Sequence, residues 1–331
     1  MSECETEIKN RSTTIEKMRK IILQNGERAE RPCVATLGFF DGVHRGHQHL
    51  IRQVTEAARR LGLDATVVTF DVHPRQALQE GFQPRLLNTF NERLIRLATT
   101  GADNSAILHF DRAMASLSAR EFMEKVLRDQ LGVRQLILGY DHRFGHDRSE
   151  GFDDYVRYGH ELGIEVVRSD VFLVDGQPVS SSAIRKVLAE GDVERANTLL
   201  GYRYPLVGTV VEGFQQGRRL GFPTANMNLP SEGKIIPAPG VYAVGARVER
   251  TMEMKRAVMN IGSRPTFDGH KLTLETHIIN YDADLYGERL VVNFAHRLRD
   301  ERHFASPGEL ALQMREDVRK AMELFEKDLE L

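Results

Sequence analysis

The sequence predicts two domains of different architecture. The first is an N-terminal α/β half, with a parallel sheet covered by helices on both faces; the second is a small C-terminal antiparallel β-barrel with a packed C-terminal helix. Three observations predict this. Apolar runs alternate with amphipathic helical runs from Pro32 to about Val167, the period switches to two from Tyr204, and one long amphipathic stretch follows Ser306. With 331 residues, each half has enough chain to close its own core.

Residues 1–17 are polar and aperiodic and read as an extension. Val34–Leu37 is the end of a buried strand, and Leu50, Ile51, Val54, Ala57, Ala58 and Leu61 give the stripe of a helix over Gly46–Leu61. Ala65–Phe70, a run of strand formers, completes a βαβ unit. Then come a helix over Asn91–Thr99, a strand over Ala106–Phe110 and a helix over Ala119–Leu131 ended by Gly132. Arg134–Leu138 is a strand, Asp153–Leu162 a helix ended by Gly163, and Ile164–Val167 a further strand. The first domain spans 18–187, and 188–202 is a linker with a short helical segment. The barrel, 203–331, takes strands at Leu206–Val211, Val241–Val248, Ala257–Ile261, Leu272–Ile279 and Leu290–Phe294. Ser306 caps the last helix, with Pro307 at its first position and Glu309 three after the cap. Leu310, Met314, Val318, Ala321, Met322, Phe325 and Leu329 form the stripe it turns to the barrel.

Lys plus Arg number 45 against 47 Asp plus Glu, so there is no whole-chain basic field of the kind that gathers nucleic acid. Two cysteines, Cys4 and Cys33, give no disulfide framework, which fits a reducing cytosol. No apolar run approaches a membrane span, and Met1–Asn10 is polar rather than a signal sequence. The expectation is a cytoplasmic protein acting on small molecules, with no nucleic acid or membrane partner and with a homo-oligomer left open.

The stretch Gly38-Phe39-Phe40-Asp41-Gly42-Val43-His44-Arg45-Gly46-His47 falls on the strand-to-helix turn. Its glycines let the backbone bend and let a ligand approach main-chain nitrogens, and the following helix start favours anions. His44 and His47 add donors beside it, an arrangement suited to polyphosphate, with Gly38, Phe40, Asp41 and Gly46 as further contacts. A pair of ordinary satisfied histidines, or a zinc site with His49 as third ligand, are the competing readings; the cysteines lack the C-x-x-C spacing that usually closes a zinc site. Two more loops follow strands: Phe70-Asp71-Val72-His73-Pro74-Arg75, and Gly139-Tyr140-Asp141-His142-Arg143-Phe144-Gly145-His146. Ser180-Ser181-Ser182 opens a helix with Arg185 one turn inside, a group that caps the helix and can also grip phosphate.

In the barrel, Gly213, Gly217 and Gly221 make a flap that can lie over phosphates. Pro223 fixes the chain before Thr224 and Asn226, which point the same way on an extended strand and can complete the oxygen shell of Mg2+. An ordinary glycine-rich hairpin is the alternative. Glu275 shares a strand face with Thr273 and His277; it is either a solvated carboxylate or, facing the flap, a base for an alcohol attacking a γ-phosphate. No Walker A sequence occurs.

G-F-F-D-G-V-H-R-G-H, F-D-V-H-P-R, G-Y-D-H-R-F-G, S-S-S-A-I-R, G-R-R-L-G-F-P-T-A-N, N-I-G-S-R-P-T-F (Asn260–Phe267), E-T-H-I and D-L-Y-G (Asp284–Gly287) occur in this order. In that order they resemble the bifunctional bacterial riboflavin kinase and FAD synthetase family from about residue 18 to the C-terminal helix. The resemblance implies a Rossmann-like nucleotidyltransferase module followed by a riboflavin kinase barrel. It implies ATP as co-substrate with Mg2+, and riboflavin, FMN and FAD as substrate and products. By similarity Glu275 is the base, and Thr224 and Asn226 hold metal and phosphates, with Gly217, Arg218, Gly221 and Pro223 in the flap. His44, His47, Ser181, Ser182 and Arg185 grip ATP in the first module, and Asp141 lies near nucleotide or metal. Val72, His142 and Ser182 depart from the residues commonest in the family. Two alternatives are a transferase half acting on another phosphate-bearing acceptor, and a non-catalytic flavin or nucleotide sensor, for which a base such as Glu275 would have no use.

Overall fold

A computed structural model describes residues 18–328 apart from 80, 147–149, 214–216, 218–219, 231–232, 252 and 267–268, and apart from the side chains of 25 and 264–271. The chain divides into two units, Met1–Ser181 and Ser182–Leu331. That boundary falls a few residues before the one at 187 that the sequence suggests.

The first unit runs β1 (Arg19–Ile22), β2 (Cys33–Leu37), α1 (Arg45–Leu61), β3 (Asp64–Phe70), α2 (Pro74–Leu78), α3 (Phe90–Ala98), β4 (Asn104–Leu108) and α4 (Arg112–Ala115). Next come α5 (Ala119–Phe122), continued by a π turn over Met123–Arg128, then β5 (Val133–Leu138), α6 (Phe152–Leu162), β6 (Glu165–Arg168) and a hairpin of β7 (Leu173–Val174) and β8 (Gln177–Pro178). Six strands pair in parallel in the order β1-β4-β3-β2-β5-β6. The central strands are buried on both faces, which is why Cys33–Leu37 reads as an unbroken apolar run apart from Thr36. Leu50, Ile51, Leu94 and Leu97 from α1 and α3 cover one face; Phe122, Met123, Leu127 and Tyr155 cover the other. From β2 the chain steps outward to β3 and β4, then returns to the opposite side of β2 with β5. The reversal leaves a crevice at the carboxyl ends of β2 and β5.

The second unit contains α7 (Ser181–Glu190, beginning on the last residue of the first unit), α8 (Val193–Leu200), β9 (Pro205–Val211), β10 (Ala225–Asn228), β11 (Gly240–Val248), β12 (Lys255–Thr266), β13 (Gly269–Ile278), β14 (Arg289–Arg299) and α9 (Pro307–Lys327). The strands close a barrel in the order β10-β13-β12-β11-β14-β9. The expected linker at 188–202 is instead docked structure. Val193, Ala196, Leu199 and Leu200 of α8 are buried, and Asn197 ties the helix to the barrel by donating to the Phe294 carbonyl of β14 and accepting the Tyr204 N–H just before β9. The α9 stripe also divides: Ala321 and Phe325 pack on Val241, Ala243 and Leu298, while Leu310, Met314 and Val318 face a cavity.

Candidate active sites

Between Leu37 and Arg45 the chain must turn from a strand end to a helix start, and it does so with non-glycine residues in the left-handed region. Phe40 and Val43 have φ of +55° and +38° on either side of Gly42 at +83°. A β-branched residue there is strained and persists only where its surroundings hold it. Two expected glycines act by lacking a side chain. A Cβ at Gly38 would lie 3.1 Å from the Phe40 ring, and one at Gly46 3.2 Å from the His44 imidazole and 3.3 Å from the Val179 carbonyl.

His44 is the N-cap of α1, and its Nδ1 accepts the His47 backbone N–H at 3.3 Å. A neutral His44 therefore carries its proton on Nε2. The two rings stack with centroids 3.6 Å apart, and Phe40 sets its edge on His47 at 5.1 Å. Burial first, then the neighbouring His44 and His142, push His47 well below the ordinary imidazole range. Its Nδ1 is out of water with no hydrogen-bond partner among the described residues. A polyphosphate would supply an acceptor for His47. His142 brings the loop after β5 to the same place, while Asp141 beside it is exposed.

Two residues expected at the ligand have protein partners. The buried Asp41 carboxylate accepts the backbone N–H groups of Leu87 at 2.9 Å and Asn88 at 3.2 Å, and the Asp41 carbonyl accepts the Ser181 hydroxyl at 2.8 Å. Ser181 spends its one proton on that bond, so both residues shape the turn. Ser182 is exposed on α7, with Arg185 Nη1 3.4 Å from its hydroxyl. His49 lies against Phe172 instead of completing a zinc site, and no group of three or more His, Cys, Asp or Glu among the described residues is placed to hold a metal ion.

In the second unit the register of three strands builds the site. Asn226 of β10 stands opposite Glu275 of β13, and Glu275 opposite Asn260 of β12. Directly opposed residues share a sheet face, so an amide, a carboxylate and a second amide lie in a row on the outer side of the barrel. The sequence analysis places Asn260 in a motif without a site role, although a lone amide breaking the apolar run Ala257–Ile261 is a signal. Glu275, His277 and Thr224 line a cavity of about 600 Å³. Val241, Val258, Phe304 and the α9 residues Leu310, Met314 and Val318 give it apolar walls. Its floor carries Arg299, which grips Asp317 with both ends of its guanidinium at 2.8–3.2 Å.

The glycine segment reaches the same row. His277 Nδ1 lies 2.9 Å from the Pro223 carbonyl, tying the segment's end to β13. Gly217 accepts from the Leu220 and Phe222 N–H groups, and a Cβ on it would meet the Phe222 carbonyl at 2.3 Å. Gly221 has φ of +83°. Arg218 lies outside the described residues. The hydroxyl of Thr224 and the amide oxygen of Asn226 are oxygen donors, which fits a hard cation such as Mg2+ that keeps its waters and needs few protein ligands.

Comparison with known proteins agrees with both halves. Residues 26–183 match the family model described as FAD synthetase, and 200–325 the one described as riboflavin kinase. A Haemophilus influenzae bifunctional riboflavin kinase/FMN adenylyltransferase is 35% identical over 92% of this chain and 97% of its own length. A Pseudomonas fluorescens protein of the same name is 38% identical over 91% and 96%. A crystal structure from Streptococcus pneumoniae, described as a macrolide-efflux protein, superposes with a TM-score of 0.84 at 32% identity, covering 92% of this chain and 99% of that one. In this chain no helix among the described residues is long and apolar enough to cross a membrane. With its two matched halves in this order and its relatives spanned almost from end to end, the chain belongs to the bifunctional riboflavin kinase/FMN adenylyltransferase family.

Proposed function

We propose that the second unit phosphorylates riboflavin to FMN with ATP, and that the first unit transfers AMP from a second ATP to FMN, giving FAD and pyrophosphate. The observation that carries this reading is the placement of Glu275 opposite Asn226 on the face lining the cavity. There its carboxylate takes the proton of the ribityl 5′-hydroxyl as that oxygen attacks the γ-phosphorus and ADP leaves. The apolar walls of the cavity suit a flat fused ring. Thr224 and Asn226 would hold Mg2+, which neutralises charge on the transferring phosphates.

The first unit needs no base, because the attacking FMN phosphate is already an anion. An oxygen of that phosphate attacks the α-phosphorus and the bond to pyrophosphate breaks. Catalysis there is positioning and charge stabilisation. His44 presents its Nε2 proton, His47 its ring nitrogens, and the start of α1 its backbone N–H groups. By resemblance Ser182 and Arg185 of α7 are further phosphate-binding candidates, and Arg185 Nη1 lies 3.4 Å from the Ser182 hydroxyl. Both reactions draw on ATP and fit a cytoplasmic enzyme. The test is to incubate the purified protein with riboflavin, ATP and Mg2+ and separate the flavins over time. FMN should rise and then give way to FAD; failure to form FAD from FMN and ATP would overturn the assignment of the first unit.

A further inference from the structure

Arg93 is 1% exposed, among the largest fully buried side chains, and it makes no ion pair within salt-bridge distance among the described residues. It sits on α3, and its partners lie at the carboxyl ends of β2 and β3. Its guanidinium lies over the Phe39 ring with its carbon 3.9 Å from the centroid, and over Phe90 at 5.5 Å. One Nη donates to the Phe70 carbonyl, the last of β3. Asp41 and Asp71 act on it through their charge, while burial pulls it down to about 10, which leaves it a cation at neutral pH. Its Nε is buried with no hydrogen-bond partner among the described residues.

A buried cation held by a ring face, a carbonyl and two carboxylates is costly unless its position is useful. Its partners come from two parts of the first site, the turn after β2 and the end of β3 with the loop that follows. Phe39 is in the strained turn before His44 and packs its ring edge on His73 at 4.8 Å. Asp41 is in the same turn and holds Leu87 and Asn88. Phe70 and Asp71 begin the loop after β3, where Asp71 accepts the Phe110 N–H and contacts His109. One guanidinium thus spans the turn after β2, the loop after β3 and, through Asp41, the segment leading into α3.

From this geometry we infer that Arg93 is a positioning residue for adenylyl transfer, fixing the Phe39–His44 turn so that His44 and His47 meet the triphosphate in register. The inference rests on the reading of the first unit given above. A planar, forked cation is required, because it stacks on Phe39 and bonds the carbonyl at once. Lysine keeps the charge without the plane.

The test compares the full-length wild type with Arg93→Lys and Phe39→Leu, measuring FMN-to-FAD conversion, riboflavin phosphorylation and thermal unfolding. Arg93→Lys should lower kcat for FAD formation by about a hundredfold, the scale of a small misplacement at a reacting centre. It should leave FMN formation within about twofold of wild type, because Glu275 and its cavity lie in the other unit. Phe39→Leu should lower the same kcat, and combining the two should cost little more than Arg93→Lys alone, since each removes the same stacking contact. The inference is overturned if a folded Arg93→Lys makes FAD at close to the wild-type rate. It is equally overturned if both Arg93→Lys and Phe39→Leu lose the unfolding transition of the first unit, which would make the contact a requirement of the fold. A wild type that makes no FAD would instead overturn the parent reading.

Discussion

Asn226 and Glu275 occupy directly opposed positions of the β10–β13 ladder, so their side chains share the sheet face on which Glu275 lines the cavity. Asn260 stands on the other side of Glu275. The ladder thus sets the carboxylate between two amides on the face that lines the cavity.

Glu275→Gln keeps the shape of this row and removes only the basic oxygen. FMN formation should fall by about a hundredfold to ten-thousandfold, the usual worth of general-base catalysis. FAD formation from supplied FMN should be unchanged, because it runs in the other unit. Separate assays of the two steps on one preparation measure this; equal loss of both would show that the variant had damaged the fold.

His47→Gln should do the converse, lowering FAD formation while sparing FMN formation. It also changes the response to pH. His47 is held well below the ordinary imidazole value of about 6.5, so below that pH the unfolded chain binds a proton that the folded chain does not. Stability therefore falls as pH drops from about 6.5 toward the folded value, and this contribution is absent above it. His109 acts in the opposite sense: its bond to Asp71 raises it, so its stabilisation is present at low pH and fades as pH rises through its folded value. The difference between wild type and His47→Gln isolates the first effect. The unfolding temperature of the variant should decline less steeply below pH 6.5 than that of wild type.

The turn itself depends on Asp41. Replacing it with Asn sets an amide N–H donor against Leu87 alone at the Oδ2 place, or against both Leu87 and Asn88 at the Oδ1 place, where the Asn88 N–H loses its acceptor. A buried backbone donor left without an acceptor costs about 1–3 kcal/mol. Asp41→Asn should destabilise the first unit by that amount in denaturant unfolding. It should also raise KM for ATP in FAD formation, because the strained Phe40 and Val43 would relax.

The alternation of strand and helix was legible along most of the chain, and both histidines of the turn, the flap residues Thr224 and Asn226, and Glu275 stood out by residue type and place. What escaped depends on contacts far apart in sequence. β1 is a four-residue edge strand beginning Arg19-Lys20, too short and polar to signal itself, and only its pairing with β4 makes it a strand. Arg93 gives no signal in sequence because a helical stripe is read from apolar positions such as Leu94 and Leu97, and a charge beside them reads as solvent-facing. Asp41 and Ser181 were identified as site residues by their neighbours in the chain, yet their partners, Leu87 with Asn88 and Asp41 itself, lie outside any local window. In α9 the period places the stripe, of which Leu329 lies outside the described residues, but Leu310 and Met314 serve a cavity, a distinction that no periodicity carries.

The flap offers a test in which steric crowding and metal use are read together. A Cβ built on Gly213 would lie 2.1 Å from Asn226 Nδ2, 2.5 Å from its Cγ and 2.8 Å from its Oδ1, so any side chain at 213 displaces the Asn226 amide. The obstacle is the end of a side chain rather than backbone, so Gly213→Ala can be accommodated by rotating Asn226 away, with the barrel intact. Unfolding should therefore change little, whereas the oxygen that would share a metal with Thr224 leaves its place opposite Glu275. FMN formation should fall by about tenfold or more at fixed Mg2+, as expected for misplacement of one charge-stabilising group. Raising Mg2+ should recover part of the rate, because the loss is in ligation rather than in the base. Measuring FMN formation against Mg2+ concentration for wild type and Gly213→Ala, with FAD formation from FMN as the control, checks both. If the two proteins show the same Mg2+ dependence, Asn226 does not hold the metal, and its amide serves the riboflavin or phosphate directly.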